Sequence, residues 1–266
     1  MASWTRQMIL RIKRRKTRVD KALYFAAKAG SSVSLPVLPA FHSFLYHEWT
    51  LRCSAWHNFW RVLYYEPMFK SQCKSVGKGF RMEYAGNGSA KVRGNLSLSL
   101  ADNVHMFDNT VFIGLKVCDA PEMVVGSNTY LGPQVHFMVG KKITVGSYCL
   151  ITCRMITDNP GHPVEDVLER MQSAGGSPSA GSMRPIIIGD FCFLPIETVV
   201  YPGVTVGDGV VARIGTHISR DVPPFCQVAG NPMRILRLLP IPEELRGVVG
   251  EERYNNYLKE HDKIVL

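Results

Sequence analysis

Aliphatic residues recur at every sixth position from Ile188: Ile188, Leu194, Val200, Val206, Ala212 and Ile218. Four residues after each of the first five stand Cys192, Thr198, Val204, Val210 and Thr216, all small or β-branched. Turn formers lie between them, at Gly189-Asp190, Pro202-Gly203 and Gly207-Asp208-Gly209. A period of six fits neither the 3.6 of an α-helix nor the unbroken alternation of a long strand. It fits short strand, turn, short strand, repeated, with the aliphatic and the small residue both facing inward as ladders. That pattern is a hexapeptide parallel β-helix, in which each coil lies on the next at about 4.8 Å. Six registered positions in a row argue against a β-sandwich with a coincidental spacing.

Upstream the register is weaker. Residues 76–120, with Gly77, Gly79, Gly86, Gly88 and Gly94 among short apolar pieces, read as irregular first coils. A clear register starts at Val125-Gly126 and continues at Leu131-Gly132 and Phe137. The phase then slips by two and resumes at Val145-Gly146 and Ile151. Residues 157–185 have no six-residue period. Val164 to Met171 reads as a short helical turn, and 173–182 is rich in Gly, Ser and Pro. A loop this long in a compact fold is functional or disordered, and an ordered beginning with a flexible end is expected here.

Helical patterns flank the coils. Thr17 and Asp20 resemble a capping box, Ala22 to Ala29 follow, and Gly30-Ser31-Ser32 ends the run. A second helix is expected from about Ala40 to Tyr65, with Trp49, Trp56, Phe59, Trp60 and Leu63 on a broad face and Glu66-Pro67 at its end. Pro242-Glu243-Glu244 starts a C-terminal helix reaching about His261. The expected organisation is a helical extension over 1–75, an all-β solenoid over 76–239 with an inserted loop at 157–185, and a C-terminal helix over 240–266.

Charge changes this picture at the N-terminus. The 266-residue chain carries a formal net charge of +9. Arg6, Arg11, Lys13, Arg14, Arg15, Lys16, Arg18 and Lys21 crowd its start, opposed only by Asp20. Such a block suits a solvated, poorly ordered arm, or an anionic membrane surface on which each basic residue adds about 1 kcal/mol. Nucleic acid is a weaker reading, since no recognition motif accompanies the charges. The aromatic helix either packs on the side of the β-helix or lies at a membrane interface. No window has the apolar length of a membrane span; Val33 to Cys53 comes nearest, interrupted by Pro36, Pro39, His42, His47, Glu48 and Arg52. A secretory leader is not expected, because no clean apolar segment and small-residue cleavage site follow the basic start. The seven cysteines form no CxxC pair. Cys149 and Cys192 fall on the small inward slot and read as core filler, reduced thiols of a reducing compartment; a metal is not expected.

The runs PGVTVGDG, RDVPP and AGNPMRIL resemble the closing coils of the hexapeptide-repeat acyltransferases, over about residues 95–239. They are similar in particular to sugar O-acetyltransferases of the galactoside, maltose and exopolysaccharide type. YYEPMFKSQCKSVG resembles the entry segment of polysaccharide-associated members. The resemblance implies a left-handed parallel β-helix, a homotrimer, and acetyl transfer from acetyl-CoA in sites between subunits. Spacing alone implies none of these three.

Acyl transfer to a hydroxyl needs a base, donors for the oxyanion, and a thioester held against the alcohol. Among eight histidines, His162 is set in Asn159-Pro160-Gly161-His162-Pro163-Val164, with Gly161 and Pro163 fixing the backbone on either side. The Gly-His-Pro-Val run matches the catalytic-histidine motif of galactoside-type acetyltransferases, which makes His162 the general base. Asp158 either orients His162 or only forms a turn. His136, Glu165 and Phe193 are candidates for the saccharide acceptor, Asp166 a weaker one, and His217 an outward residue of a surface strand. For acetyl-CoA, the resemblance points to Ile214 and Gly215, to Ser219-Arg220, and to Asn231, Pro232, Arg234 and Arg237. Arginine pairs well with phosphate, though a basic solvated tail also explains these residues.

The sequence also departs from the family pattern. The usual Trp-Ile-Gly-x-Gly is Phe193-Leu194-Pro195-Ile196-Glu197 here, and Gly-Ala-Gly-Ser is Arg213-Ile214-Gly215-Thr216. Those glycines let the pantetheine arm approach the backbone. Pro195 removes an N–H, and Arg213 and Ile214 add bulk. The readings are therefore an O-acetyltransferase of surface polysaccharide or lipid-linked glycan synthesis, with an N-acyltransferase on a nucleotide-linked amino sugar close to it, and a non-catalytic β-helix scaffold. The expected location is cytoplasmic, peripheral on the inner-membrane face.

Overall fold

The computed structural model describes residues 2–32, 34, 36–86, 88–162, 167–172 and 182–264. The chain divides into two compact units, Met1–Ser54 and Ala55–Leu266.

In the first unit, α1 (Ala2–Arg14) and α2 (Arg18–Ser32) are followed by most of α3 (Pro39–Trp60). The capping box is reciprocal. The Thr17 N–H donates to Asp20 Oδ2 at 3.3 Å, and the Asp20 N–H donates to Thr17 Oγ1 at 3.1 Å. Arg11 pairs with the buried Asp20 carboxylate at 3.2 Å, and the Arg15 guanidinium lies 4.8 Å over the Tyr24 ring. The basic start is thus helical rather than an unordered arm, because α2 offers it a carboxylate and a ring.

In the second unit, the end of α3 runs through a π-helical turn, Arg61–Tyr65, into α4 (Glu66–Lys70). Glu66-Pro67 therefore does not end the helix. Proline is tolerated at the start of a fresh helical segment, where its missing N–H is not needed. Glu66, buried, accepts the Met82 N–H at 3.0 Å and an Arg61 Nη1 hydrogen bond at 2.5 Å, which ties α4 to the first coil.

The strands then come in threes. The first coil is β1 (Ser75–Val76), β2 (Arg81–Glu83) and β3 (Lys91–Arg93). The second is β4 (Ser97–Leu100), β5 (His105–Phe107) and β6 (Val111–Gly114). The third is β7 (Glu122–Val125), β8 (Tyr130–Leu131) and β9 (His136–Val139). The fourth is β10 (Lys142–Val145), β11 (Leu150–Ile151) and β12 (Met155–Thr157). After a loop carrying α5 (Val167–Gln172) come β13 (Ile186–Ile188), β14 (Phe193–Leu194) and β15 (Val199–Val200). The sixth coil is β16 (Thr205–Val206), β17 (Val211–Ala212) and β18 (His217–Ile218). Every third strand stacks in parallel, giving three sheets that start from β1, β2 and β3. β19 (Cys226–Ala229) continues the second sheet, and β20 (Arg234–Leu238) closes it antiparallel.

All six expected hexad residues from Ile188 to Ile218 are buried, as are the five small-slot residues from Cys192 to Thr216. Residues 76–120 form the first coils, with β1 to β6 in register with the later strands and connecting turns of unequal length. The hexad count slips by two before the fourth coil: Val145 pairs with Val125, whereas Val206 pairs with Ile188, and the two extra residues lie between Phe137 and Val145.

All seven cysteines are free thiols. In the small slot, the Cys149 and Cys192 thiols donate to the Gly189 and Gly207 carbonyls at 3.1 and 3.2 Å. A hydrogen bond with Cys149, together with burial, pushes the Cys192 thiol up. Burial alone pushes Cys153 up to about 12. Both stay protonated near neutrality and serve packing.

The C-terminal helix is two helices, α6 (Leu245–Val249) and α7 (Glu251–His261), broken at Gly250, whose φ of 86° suits glycine. α7 is held by a corner ladder of aspartates. Asp190 accepts the Ser147 N–H and Asp208 accepts the Asp190 N–H, each at 2.7 Å. Their other oxygens receive Arg253 Nη2, at 2.6 Å for Asp190 and 2.8 Å for Asp208. The Tyr257 hydroxyl adds a 2.6 Å bond to Asp208. Asp208→Ala is expected to lower the unfolding free energy by about 2–3 kcal/mol and Arg253→Ala by about 1, measured by urea denaturation. Equal effects of the two would contradict the ladder as the main support.

Candidate active site

The long loop leaves the coil after β12 and returns at β13. Its outgoing end is held by Asp158, which is fully buried. One carboxylate oxygen accepts the Gly140 N–H at 2.5 Å; the other accepts the N–H groups of Lys141 at 2.7 Å and Lys142 at 2.8 Å. Its returning end is held by Met183, buried against Gly140, and by the Arg184 N–H donating to the Asp158 carbonyl at 3.0 Å. These contacts tie the loop to the 140–142 turn, a fastening role beyond the two expected for Asp158.

Beyond Asp158 the chain turns on itself. The Asn159 N–H donates to Thr157 Oγ1 at 3.2 Å, and Asn159 Oδ1 accepts the Gly161 N–H at 2.8 Å. Gly161 takes a φ of 89°, which requires glycine, and His162 follows, exposed. The residue sequence thus builds a short turn on a pinned neck, with an imidazole beside it. Glu165 and Asp166 lie outside the described residues.

His136 stands exposed on β9, paired in register with Met155 of β12, so it shares a sheet with the neck of the loop. On the same sheet the Tyr201 hydroxyl lies 3.2 Å from His217 Nδ1. Reading His217 as a plain strand residue missed this contact. The available signal is the pairing of Val199 with His217 one coil later, which sets Tyr201 beside it. Phe193 is elsewhere, half-buried on the second sheet between Leu150 and Val211.

The residues expected to meet the acyl donor gather at the end of the coil. Ile214 and Gly215 form the corner between β17 and β18. Ile214 is 71% exposed, and a Cβ on Gly215 would meet nothing within 4 Å. Ser219 and Arg220 are exposed just after β18. Asn231 and Pro232, joined by a cis bond, turn the β19–β20 hairpin. That turn reaches β18, because the His217 N–H donates to the Gly230 carbonyl at 3.1 Å. Arg234 and Arg237 are exposed on β20, and Arg237 Nε donates to Gln227 Oε1 at 3.0 Å.

Glu197 stands where the family pattern has glycine, and it keeps the glycine-like backbone, with φ 61°. Such a conformation costs a non-glycine residue about 1–2 kcal/mol. Its carboxylate meets Arg154 at 3.0 Å in an exposed pair that returns little of this. The corner geometry survives; the open space beside it does not. Among the described residues, no group of three or more His, Cys, Asp or Glu is placed to hold a metal ion.

No family model matches the chain. Galactoside O-acetyltransferase of Escherichia coli K12 is 30% identical over a region covering 42% of this chain and 62% of that protein. The putative colanic acid biosynthesis acetyltransferase WcaF of the same organism is 29% identical, covering 42% of this chain and 68% of that protein. The chain is similar to hexapeptide-repeat acetyltransferases. It spans about three-fifths of the length of the galactoside enzyme. The solved structure of AntD, an N-acyltransferase from Bacillus cereus, superposes with a TM-score of 0.50 at 17% identity, over 74% of this chain and 96% of that one. At that identity the likeness concerns the fold alone.

In this hexapeptide-repeat chain the loop neck is the element most open to a direct test. Asp158→Asn replaces one acceptor oxygen by an N–H₂ group facing backbone donors. It is expected to lower stability by about 2–3 kcal/mol, read by urea unfolding. A variant as stable as the parent would remove the fastening role.

Proposed function

We propose that the chain is a CoA-dependent O-acetyltransferase acting on a saccharide hydroxyl, in surface polysaccharide or lipid-linked glycan synthesis. The observation that carries this reading is the exposed His162 beside the Asn159–Gly161 turn, on a loop fastened at both ends. In the proposed reaction the acceptor hydroxyl attacks the thioester carbonyl of acetyl-CoA and loses its proton to the His162 imidazole. The carbon–sulfur bond breaks, the acetyl group stays on the oxygen, and the proton passes from the imidazolium to the departing thiolate. A histidine suits both transfers because its pKa lies near neutrality. No covalent enzyme intermediate or metal is needed.

Acetyl-CoA is assigned to the last coil and the hairpin. Gly215 leaves a gap a Cβ would enter, and Arg220, Arg234 and Arg237 supply exposed cations for phosphate. His136 and Phe193 are assigned to the acceptor, from different sheets, which fits a site shared between subunits of a homotrimer. The domain reading is an extension over 1–75, a left-handed β-helix over 76–239 with its loop at 157–185, and a C-terminal segment over 240–266. We place the protein on the cytoplasmic face of a membrane, as a peripheral protein. A non-catalytic scaffold is the second reading, favoured by the bulk of Ile214 and Glu197 where the family has small residues.

His162→Ala is expected to lower turnover by roughly 10²–10⁴-fold with acetyl-CoA binding retained. It is measured with a panel of hydroxyl and amine acceptors. Turnover unchanged by the substitution would end the assignment of His162 as the base.

A further inference from the structure

We propose that the first unit lies in the plane of an anionic phospholipid surface, with the exposed Trp4, Met8 and Ile9 of α1 at the acyl boundary and its basic residues on the lipid phosphates. This deepens the peripheral location inferred above and rests on it, but it does not depend on acyl transfer.

The charge is concentrated and of one sign. Ten of the 31 basic residues but only two of the 22 acidic ones fall in residues 1–54, so this unit holds eight of the nine net positive charges. Both acids are neutralised within the unit, Asp20 by Arg11 at 3.2 Å and Glu48 by Arg52 at 2.8 Å. On the helical wheel of α1, Lys13 borders Ile9 on one side of this apolar face with Arg6 next to it, and Arg14 lies beyond Trp4 on the other. Arg11, Arg14 and Lys16, with Gln7 and Leu10, line a cavity of about 270 Å³, room for a lipid phosphate.

The apolar surface of the unit is uncovered. Among its described residues the one buried side chain is Asp20. Trp4 is 70% exposed, and Met8 and Ile9 beside it are exposed, as are Phe41, Leu45 and Trp49 on successive turns of α3. Helices of this length owe their stability mainly to burying such a face. The occupant must therefore be both apolar and anionic. A second copy of the unit is apolar but brings eight like charges, and nucleic acid is anionic but not apolar. An anionic bilayer surface satisfies both demands, and interfacial helices combine Trp and Leu-type residues with Lys and Arg in this way. The helices lie on the membrane rather than cross it. No described helix is long and apolar enough to cross, and α3 is interrupted by His42, His47, Glu48 and Arg52.

The test is co-sedimentation of the full-length protein with vesicles of phosphatidylcholine alone and of phosphatidylcholine with phosphatidylserine, at low and high salt. Binding is expected only with phosphatidylserine present, falling at least ~10-fold in high salt, where surface charges are screened. Met8→Asp with Ile9→Asp, and separately Lys13→Glu with Arg14→Glu, are each expected to weaken binding by ~10-fold or more. Circular dichroism and acetyl-CoA binding on the same samples report the fold and the coil. Absent binding, equal binding to neutral and anionic vesicles, or insensitivity to salt would overturn the proposal from the unmodified protein alone. An assembly formed without lipid and dispersed by the Met8/Ile9 change would overturn it in favour of a second copy. Loss of acetyl-CoA binding with vesicle binding intact would count against the acyl-transfer reading and leave this one standing.

Discussion

Strand N–H groups of one coil donate to carbonyls of its neighbour, so the register of each coil is imposed on the next. Because side chains alternate faces, a slip of one residue would turn an inward ladder outward and expose it. The inward ladders prevent that slip. Leu131 stacks between Met106 and Ile151, and Phe137 between Phe112 and Ile156, with the Phe112 and Phe137 rings 5.3 Å apart. Buried polar atoms are matched to this repeat, as when Thr129 Oγ1 donates to the Gly146 carbonyl at 2.9 Å. The rest of the second unit hangs from that frame, including the α7 clamp on the Asp190–Asp208 corner and the loop that carries His162.

That frame explains how a long loop is presented without losing its place. A loop inserted into a solenoid costs little as long as the coils on either side still pair. Here β10 pairs directly with β13 across the insertion, Ile143 with Ile186 and Val145 with Ile188. The neck then needs only local support, which Asp158 and Met183 supply against Gly140. A turn of Asn159 and Gly161 brings His162 to the surface, and His136 is exposed on the sheet that β12 carries into the neck. The neck is held by backbone N–H groups of the 140–142 turn donating to the buried Asp158 carboxylate.

The coils were legible in the sequence where the hexad count runs without interruption, from Ile188 to Ile218. They were harder to see before Val125, because turns of unequal length shift the count while the paired strands stay in register; Met82 aligns with Met106 all the same. The two-residue slip before Val145 was legible too, and the pairing of Val145 with Val125 and of Ile151 with Leu131 places it between the third and fourth coils. The position of His162 was legible from Gly161 and its neighbours. The role of Asp158 was not, since its partners at 140–142 lie a coil away, and neither was the Tyr201–His217 contact, for the same reason. At the N-terminus a run of basic residues reads as disordered until the Asp20 carboxylate and the Tyr24 ring of the following helix are counted.

The glycine-like turn at Glu197 and the open corner at Gly215 bear on the claim that matters most, that the last coil and hairpin receive acetyl-CoA. Isothermal calorimetry of acetyl-CoA with the purified protein tests it most directly. Saturable binding near one site per chain, weakened about tenfold by Arg234→Ala, is the predicted result. No detectable heat from a folded protein, or binding indifferent to Arg234→Ala, Arg237→Ala and Arg220→Ala alike, would contradict it.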